Sequence, residues 1–299
     1  MKQTSTQTLK ASTKSGCKGY RTIALITSYW RPGEKYQQQI IETIRNQVQN
    51  GDFVTVSEKA ISTATGNIVD EKSIEASRLA RCLAEPWMRY AWGYVLGTIC
   101  HLRRRTIKRF RTYPTEEGSR HKQLALEEGG LLQALMHGSE AAIDGSNLPY
   151  SFVSLPLQNA AEIAAEIRHG IRTILRVEVA VMIVDTDKSY TYRNFHFTPR
   201  PKPIRGIQSF GGVFAYLLGR GFKLKTRSTP IAISGSGLDA ETALQIAETA
   251  NRARGFGAGR NVWDMAETFD VALTEVTWEM LDKVEHKPIV IVRPSPKNT

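Results

Sequence analysis

From Val177 to Ile183 the chain is apolar at every position but Glu178. A run this short and uniform predicts a strand buried on both faces. It stops at Val184-Asp185-Thr186-Asp187, two carboxylates and a hydroxyl at the end of a hydrophobic strand. Further strands are expected at 21–30, 53–57, 222–226, 230–234 and 288–293, each rich in β-branched or alternating residues. Helical spacing recurs at 34–49 (Ile40, Ile41, Ile44, Val48), 119–137 (Leu124, Leu131, Leu132, Leu135) and 157–175. Further helices are expected after Ser73 and Asp239, read as N-caps, and at 261–269 and 273–284; 206–219 reads as a packed segment. A helix feeding directly into the 177–183 strand predicts an α/β (α+β) fold, mixed sheets with packed helices.

Composition fits a soluble globular protein: 41% hydrophobic and 23% charged over 299 residues. Residues 1–20, with four lysines, no acid and many hydroxyls, read as a disordered basic tail. The rest, 21–299, can hold one large domain or two ordinary ones. Cys17, Cys82 and Cys100 form no CxxC pair, which suits a reducing cytoplasm and argues against a disulfide frame or a zinc site. The longest uncharged apolar stretch in the middle of the chain, Tyr90 to Cys100, is too short to span a bilayer.

A net charge of +11 makes an anionic partner plausible: nucleic acid, a membrane surface or a phosphorylated small molecule. Trp87, Tyr90, Trp92 and Tyr94 precede Arg103, Arg104, Arg105, Lys108, Arg109 and Arg111, a pattern that could dock on lipid or stack on nucleic acid. An aromatic core segment followed by a solvated basic helix face explains it as well.

The six histidines make no HxH or HExxH pair, and there is no GxSxG elbow. Glu58 to Val69 places Lys59, Ser62, Thr63, Thr65 and Gly66 just after a strand, a composition able to line a phosphate pocket, although GxxxxGK(S/T) is absent. Asp144 and Asn147 sit on an Asp-Gly loop. With Asp185, Thr186 and Asp187 they form an oxygen-rich set suited to Mg²⁺ or Mn²⁺ bridging to phosphates. Gly255 to Gly259 matches GxGxxG only loosely and reads as a flexible turn.

The blocks GDFVTVSEKAISTATGNIVDE (51–71), AIDGSNLP (142–149) and MIVDTD (182–187) resemble, in order, the signature blocks of the coenzyme F-420-0:L-glutamate ligase (gamma-glutamyl ligase) family. TSYWRPGE (27–34) and PIVIVR (288–293) resemble its first and last strands. The resemblance implies a single ligase-like catalytic region over 21–299 and an intertwined α/β homodimer, in the cytoplasm that the cysteines suit. It implies a GTP-dependent ligase that joins L-glutamate to the carboxylate of a deazaflavin precursor through an acyl phosphate. It further implies Mg²⁺ or Mn²⁺, with K⁺ as a further cation. Transferred by position, Asp144, Asp185 and Thr186 are metal ligands; Thr27, Ser28, Tyr29, Trp30, Glu58, Lys59, Thr63 and Asn147 line the nucleotide site. The chain departs from the pattern at Ser62-Thr63, where the family has Ser-Lys, and a cation from 193–205 is the expected substitute. Residues 80–135 read as a helical basic insertion; the family's late glutamine ligand has no match here, and Glu275 or Glu279 could serve in its place. Two alternatives remain: a non-catalytic binder of an anionic cofactor or nucleotide, and a peripheral membrane or nucleic-acid binder using the insertion.

Overall fold

The structure, a computed structural model, describes residues 11–15 and 19–295. An eight-stranded sheet forms its centre. The strands are β1 (Ala11–Ser15), β2 (Tyr20–Thr27), β3 (Phe53–Ser57), β6 (Ala180–Tyr192), β7 (Phe195–Thr198), β8 (Gln208–Ser209), β9 (Lys225–Ser234) and β10 (His286–Pro294). A small separate hairpin pairs β4 (Ile68–Asp70) with β5 (Phe152–Ser154). The order runs β1-β2-β10-β3-β6-β7-β8, with β9 paired to β6. β3 and β6 are parallel, and β10 is antiparallel to both β2 and β3. The class is mixed α/β, as expected.

The uniform apolar runs follow from burial on both faces. Along β10, Ile289 and Ile291 enter one core while Val290 and Val292 enter the other; along β6, Val181 and Ile183 part from Met182 and Val184 in the same way. The helix Ala160–Leu175 covers the first face with Ile163, Ala164, Ile167 and Ile171, a stripe at helical spacing. The helix Ala240–Arg254 covers the second with Ala243, Ile246, Ala247 and Ala250. Asp239 caps that helix, accepting from the Thr242 N–H at 2.8 Å.

Several boundaries differ from expectation. β6 does not stop at Ile183 but runs on to Tyr192, through the acidic residues. The expected pair of strands at 222–234 is the single strand β9. Ser73 does not cap the next helix; Ser77 does, accepting from the Ala80 N–H. The 119–137 helix is two, Thr115–Gly129 and Leu131–Ala134, split where Gly130 takes a φ of +76°. The segment 206–219 runs into the helix Val213–Gly221, and 273–284 is helical only over Trp278–Leu281. Ala11–Ser15, within the stretch read as a tail, pairs with β2, whereas 1–10, 16–18 and Cys17 with them lie outside the described residues.

Residues 80–135 build a satellite core around Met88, Trp92, Phe110 and Tyr113. Its first helix continues from Arg78–Cys82 into a π-helix over Leu83–Leu96, with Pro86 inside. The wider winding accommodates a residue that removes a helical donor. The basic helix Arg104–Arg111 is partly consumed internally: Arg109 pairs with Asp264 at 2.9 Å and Glu267 at 2.7 Å, and Arg105 also pairs with Glu267. Arg111 lies 4.2 Å over the Tyr94 ring. Among the described residues no helix is long and apolar enough to cross a membrane.

Candidate functional site

Because β2, β3 and β6 run in one direction and β10 in the other, the chain leaves β2, β3 and the middle of β6 at the sheet end where β10 begins. Tyr29 and Trp30 follow β2, Lys59 follows β3, Thr186 to Lys188 lie within β6, and His286 opens β10; all of them line one cavity of about 520 Å³. The insertion adds Tyr113 and His121, the loop 138–147 adds Ser139, Glu140, Asp144 and Asn147, and the helix Ala240–Arg254 adds Asn251 and Arg254. That volume holds a small organic ligand or a nucleotide fragment.

Helical phase sorts two adjacent residues. Lys59 and Thr63, one turn apart on the helix Glu58–Ala64, face the cavity. Glu58 turns away from it, accepts from the Leu157 N–H at 2.9 Å, and pairs with Arg200 at 2.5 Å. Lys59 Nζ lies 2.5 Å from Asp144 Oδ2 and donates to the Ser146 hydroxyl at 2.7 Å and carbonyl at 2.8 Å. Thr27 and Ser28 stand behind the wall and hold His286 Nδ1, at 3.1 Å and 2.9 Å. Tyr29 stacks on the His286 ring at 4.4 Å, and burial pulls that imidazole down to about 4, so it is neutral.

The acidic end of β6 is bulged. Asp185 pairs across to Thr229 and Lys188 to Ser228, which leaves Thr186 and Asp187 without opposite partners. A bulge re-aims side chains beside a site. Asp185 accepts from Arg200 Nε at 2.7 Å and does not line the cavity, whereas Thr186 and Asp187 do. Burial, then the charge of Asp185, push the Asp187 carboxyl well above its usual range, and Asp187 Oδ2 is buried without a partner. The basic segment 193–205 thus sends Arg200 to Glu58 and Asp185.

The loop carrying Asp144 and Asn147 is strained. Ser139, Ala141, Ala142, Asn147 and Tyr150 all have positive φ, between +49° and +64°. Such backbone persists only where surrounding contacts fix it, and it clusters at functional sites. The contacts are the buried Lys122–Glu140 pair at 2.8 Å and Gln133 Oε1, which accepts from the Ala141 N–H. Asn147 spends its amide on the loop 255–259, donating to the Phe256 and Gly259 carbonyls and accepting from the Ala258 N–H at 2.7 Å. The glycine cluster is therefore a pinned wall of the cavity. Gly257, at φ +58°, has no room for a Cβ, which would meet Asn147 Oδ1 at 2.5 Å.

Four side chains that line the cavity carry buried polar atoms without partners: Trp30 Nε1, Asn251 Oδ1, Asp187 Oδ2 and all three guanidinium nitrogens of Arg254. Buried polar groups are normally satisfied, so this concentration sets the cavity apart as the candidate site. None of Asn251, Arg254 and His286 is singled out by sequence, because no local motif surrounds them; the packing of the helix Ala240–Arg254 and the place of β10 in the sheet bring them in. Glu275 and Glu279 are not in the wall: Glu275 accepts from the Ala272 N–H, and Glu279 is solvent-exposed.

Residues 24–207 match the model of a family described as F420-0:Gamma-glutamyl ligase. An uncharacterized protein of Methanocaldococcus jannaschii is 35% identical over 288 residues, which cover 91% of this chain and 96% of that protein.

Proposed function

This chain belongs to the F420-0:gamma-glutamyl ligase family, and from that membership we propose that it is an amide-bond ligase that activates a carboxylate with a nucleoside triphosphate in the cavity at the end of β2, β3 and β6. The observation that carries the reading is the set of unsatisfied polar groups lining one cavity, donors and acceptors together. The proposed reaction is two displacements. The acid's carboxylate oxygen attacks the γ-phosphorus and the bond to the β-phosphate breaks, giving an acyl phosphate. The amine of L-glutamate then attacks the acyl carbon, inorganic phosphate leaves, and the nitrogen loses a proton.

In this reading Lys59 turns from Asp144 to a phosphate oxygen, and Trp30 Nε1 offers a fixed donor that needs no reorganisation. Tyr29 and the neutral His286 form an aromatic wall against which a base or ring can stack. The strained loop and the pinned glycine segment hold these groups in place before the ligand arrives, which favours the aligned geometry that phosphoryl transfer needs.

The donor oxygens in the wall fit a hard divalent cation at Asp144 and Asp187, with the Thr186 hydroxyl beside them; the orphaned Asp187 oxygen supports this assignment. Such a site needs only one or two carboxylates when phosphates complete the shell. Bound there, Mg²⁺ or Mn²⁺ would neutralise phosphate charge. Asp185 is not free for this role while Arg200 holds it. The binder readings gain less support: part of the basic helix is spent on Asp264 and Glu267.

Calorimetric titration of GTP, and separately ATP, with and without Mn²⁺ tests the reading. Lys59→Met is expected to weaken nucleotide binding roughly 10- to 100-fold, the value of a charge-assisted contact, and Asp187→Asn to remove the dependence on Mn²⁺. Phosphate release should then require both a carboxylate and an amine. Nucleotide affinity indifferent to both substitutions would sink the assignment.

A further inference from the structure

Arg254 ends the helix Ala240–Arg254, just ahead of the pinned glycine segment, and lies outside the residues matched by the family. Its Nε, Nη1 and Nη2 are all buried, and none has a hydrogen-bond partner. A guanidinium carries five N–H donors, cannot be neutralised near neutral pH, and is costly to bury without an anion. Burial draws its pKa down to about 10, and the charge of Asp185 pulls the other way, so it stays cationic. Asp185 is nevertheless committed to Arg200 at 2.7 Å. Two other buried cations, Arg200 and Lys122, already face carboxylates at 2.5 Å and 2.8 Å. Arg254 differs from these two: it lines the cavity and meets no acid there.

We infer that Arg254 is an anion-binding residue whose guanidinium grips an oxyanion of the bound ligand, a nucleotide phosphate or a substrate carboxylate. The planar fork suits both, each taken by two parallel N–H donors. The ligase reading bears on which anion it holds; the unpaired buried guanidinium points to an anion in either case.

The test uses Arg254→Met and Arg254→Lys in the full chain, with sodium triphosphate, GTP and L-glutamate as probes, read by calorimetry and thermal denaturation. Without ligand, Arg254→Met should melt at or above the wild-type temperature, because it removes a buried unpaired cation. Its affinity for at least one probe should fall roughly 10- to 100-fold, with part of the loss recovered in Arg254→Lys. Losses confined to triphosphate and GTP assign a phosphate; a loss confined to L-glutamate assigns a carboxylate. Triphosphate binding through Arg254 in a protein that neither binds nor turns over GTP or ATP keeps the anion site and overturns the ligase reading. An Arg254→Met protein that melts lower yet binds every probe as the wild type does makes Arg254 a structural residue, and the inference fails. It also fails if the wild type binds none of the probes.

Discussion

Replacing Arg200 by methionine is expected to lower the unfolding free energy by about 3–5 kcal/mol, the usual cost of stranding buried charges. Arg200 is 1% exposed and joins two carboxylates that would otherwise face each other: Nη2 reaches Glu58 at 2.5 Å and Nε reaches Asp185 at 2.7 Å. Its Nη1 also donates to the Pro201 carbonyl at 3.0 Å, so the pair is fixed to the loop that brings it. Burial pushes Glu58 up to about 7, against the pull of Arg200, and Asp185 adds to the rise. An acid whose folded pKa is raised is tolerated below its unfolded value near 4.5 and costs stability as pH climbs through the folded value. Removing Arg200 raises that pKa further, so the loss should be smallest near pH 5 and largest above pH 7. Urea denaturation of both proteins at pH 5 and pH 8 checks this. The double variant Arg200→Met/Glu58→Gln should recover part of the loss, because one stranded carboxylate is gone. An equal loss at both pH values would show that Arg200 acts by packing rather than charge.

The second large effect is expected at Lys122, fully buried in the insertion. Its ammonium holds Glu140 at 2.8 Å and donates to the Met136 carbonyl; His121 holds Glu71 at 2.6 Å and approaches Glu140 at 3.5 Å. Lys122→Met should cost about 3–5 kcal/mol by leaving Glu140 short of a cation. Because Glu140 sits inside the strained loop, nucleotide binding should weaken as well. Burial alone would lower the His121 pKa, but Glu71 and Glu140 raise it to about 10. A base whose folded pKa lies above its unfolded value near 6.5 contributes fully below that pH and loses the contribution as pH rises through 10. Stability should therefore decline between pH 6.5 and 10 in the wild type, and less steeply in Glu140→Gln. Thermal melts across that range read both; a flat profile in the wild type would remove the charge from His121.

Strands and covering helices were legible because each buried face repeats at its own period. The Ile163-Ala164-Ile167-Ile171 stripe and the Ile289 to Val292 alternation need nothing beyond the chain itself. The extent of β6 was not legible, since Asp185 stays in a strand only through Arg200, which is distant in sequence, and through a bulge. The residues singled out near 27–30, 58–63 and 142–147 do meet at one end of the sheet, yet their phases were open. One residue of helical offset sends Lys59 into the cavity and Glu58 behind it. Asn147 looks like a ligand contact in sequence and is instead occupied by the glycine segment. Arg254 and Asn251 carried no signal, because a helix end with an arginine is ordinary until its surroundings are known.

The placement of β10 between β2 and β3 sets the order in which this molecule can be born. In the finished sheet β2 and β3 flank β10, share no hydrogen bond with each other, and must wait for Ile289 to Val292 to arrive between them. At ribosomal speeds of roughly 5–20 residues per second, the gap from Ser57 to His286 keeps those edges open for on the order of ten to fifty seconds. The insertion waits as well, for Val213 and Trp263, which pack on its core, and for Asp264 and Glu267, which pair with Arg109. The cavity closes last, so a nascent chain cannot engage its ligand until its final strand is seated.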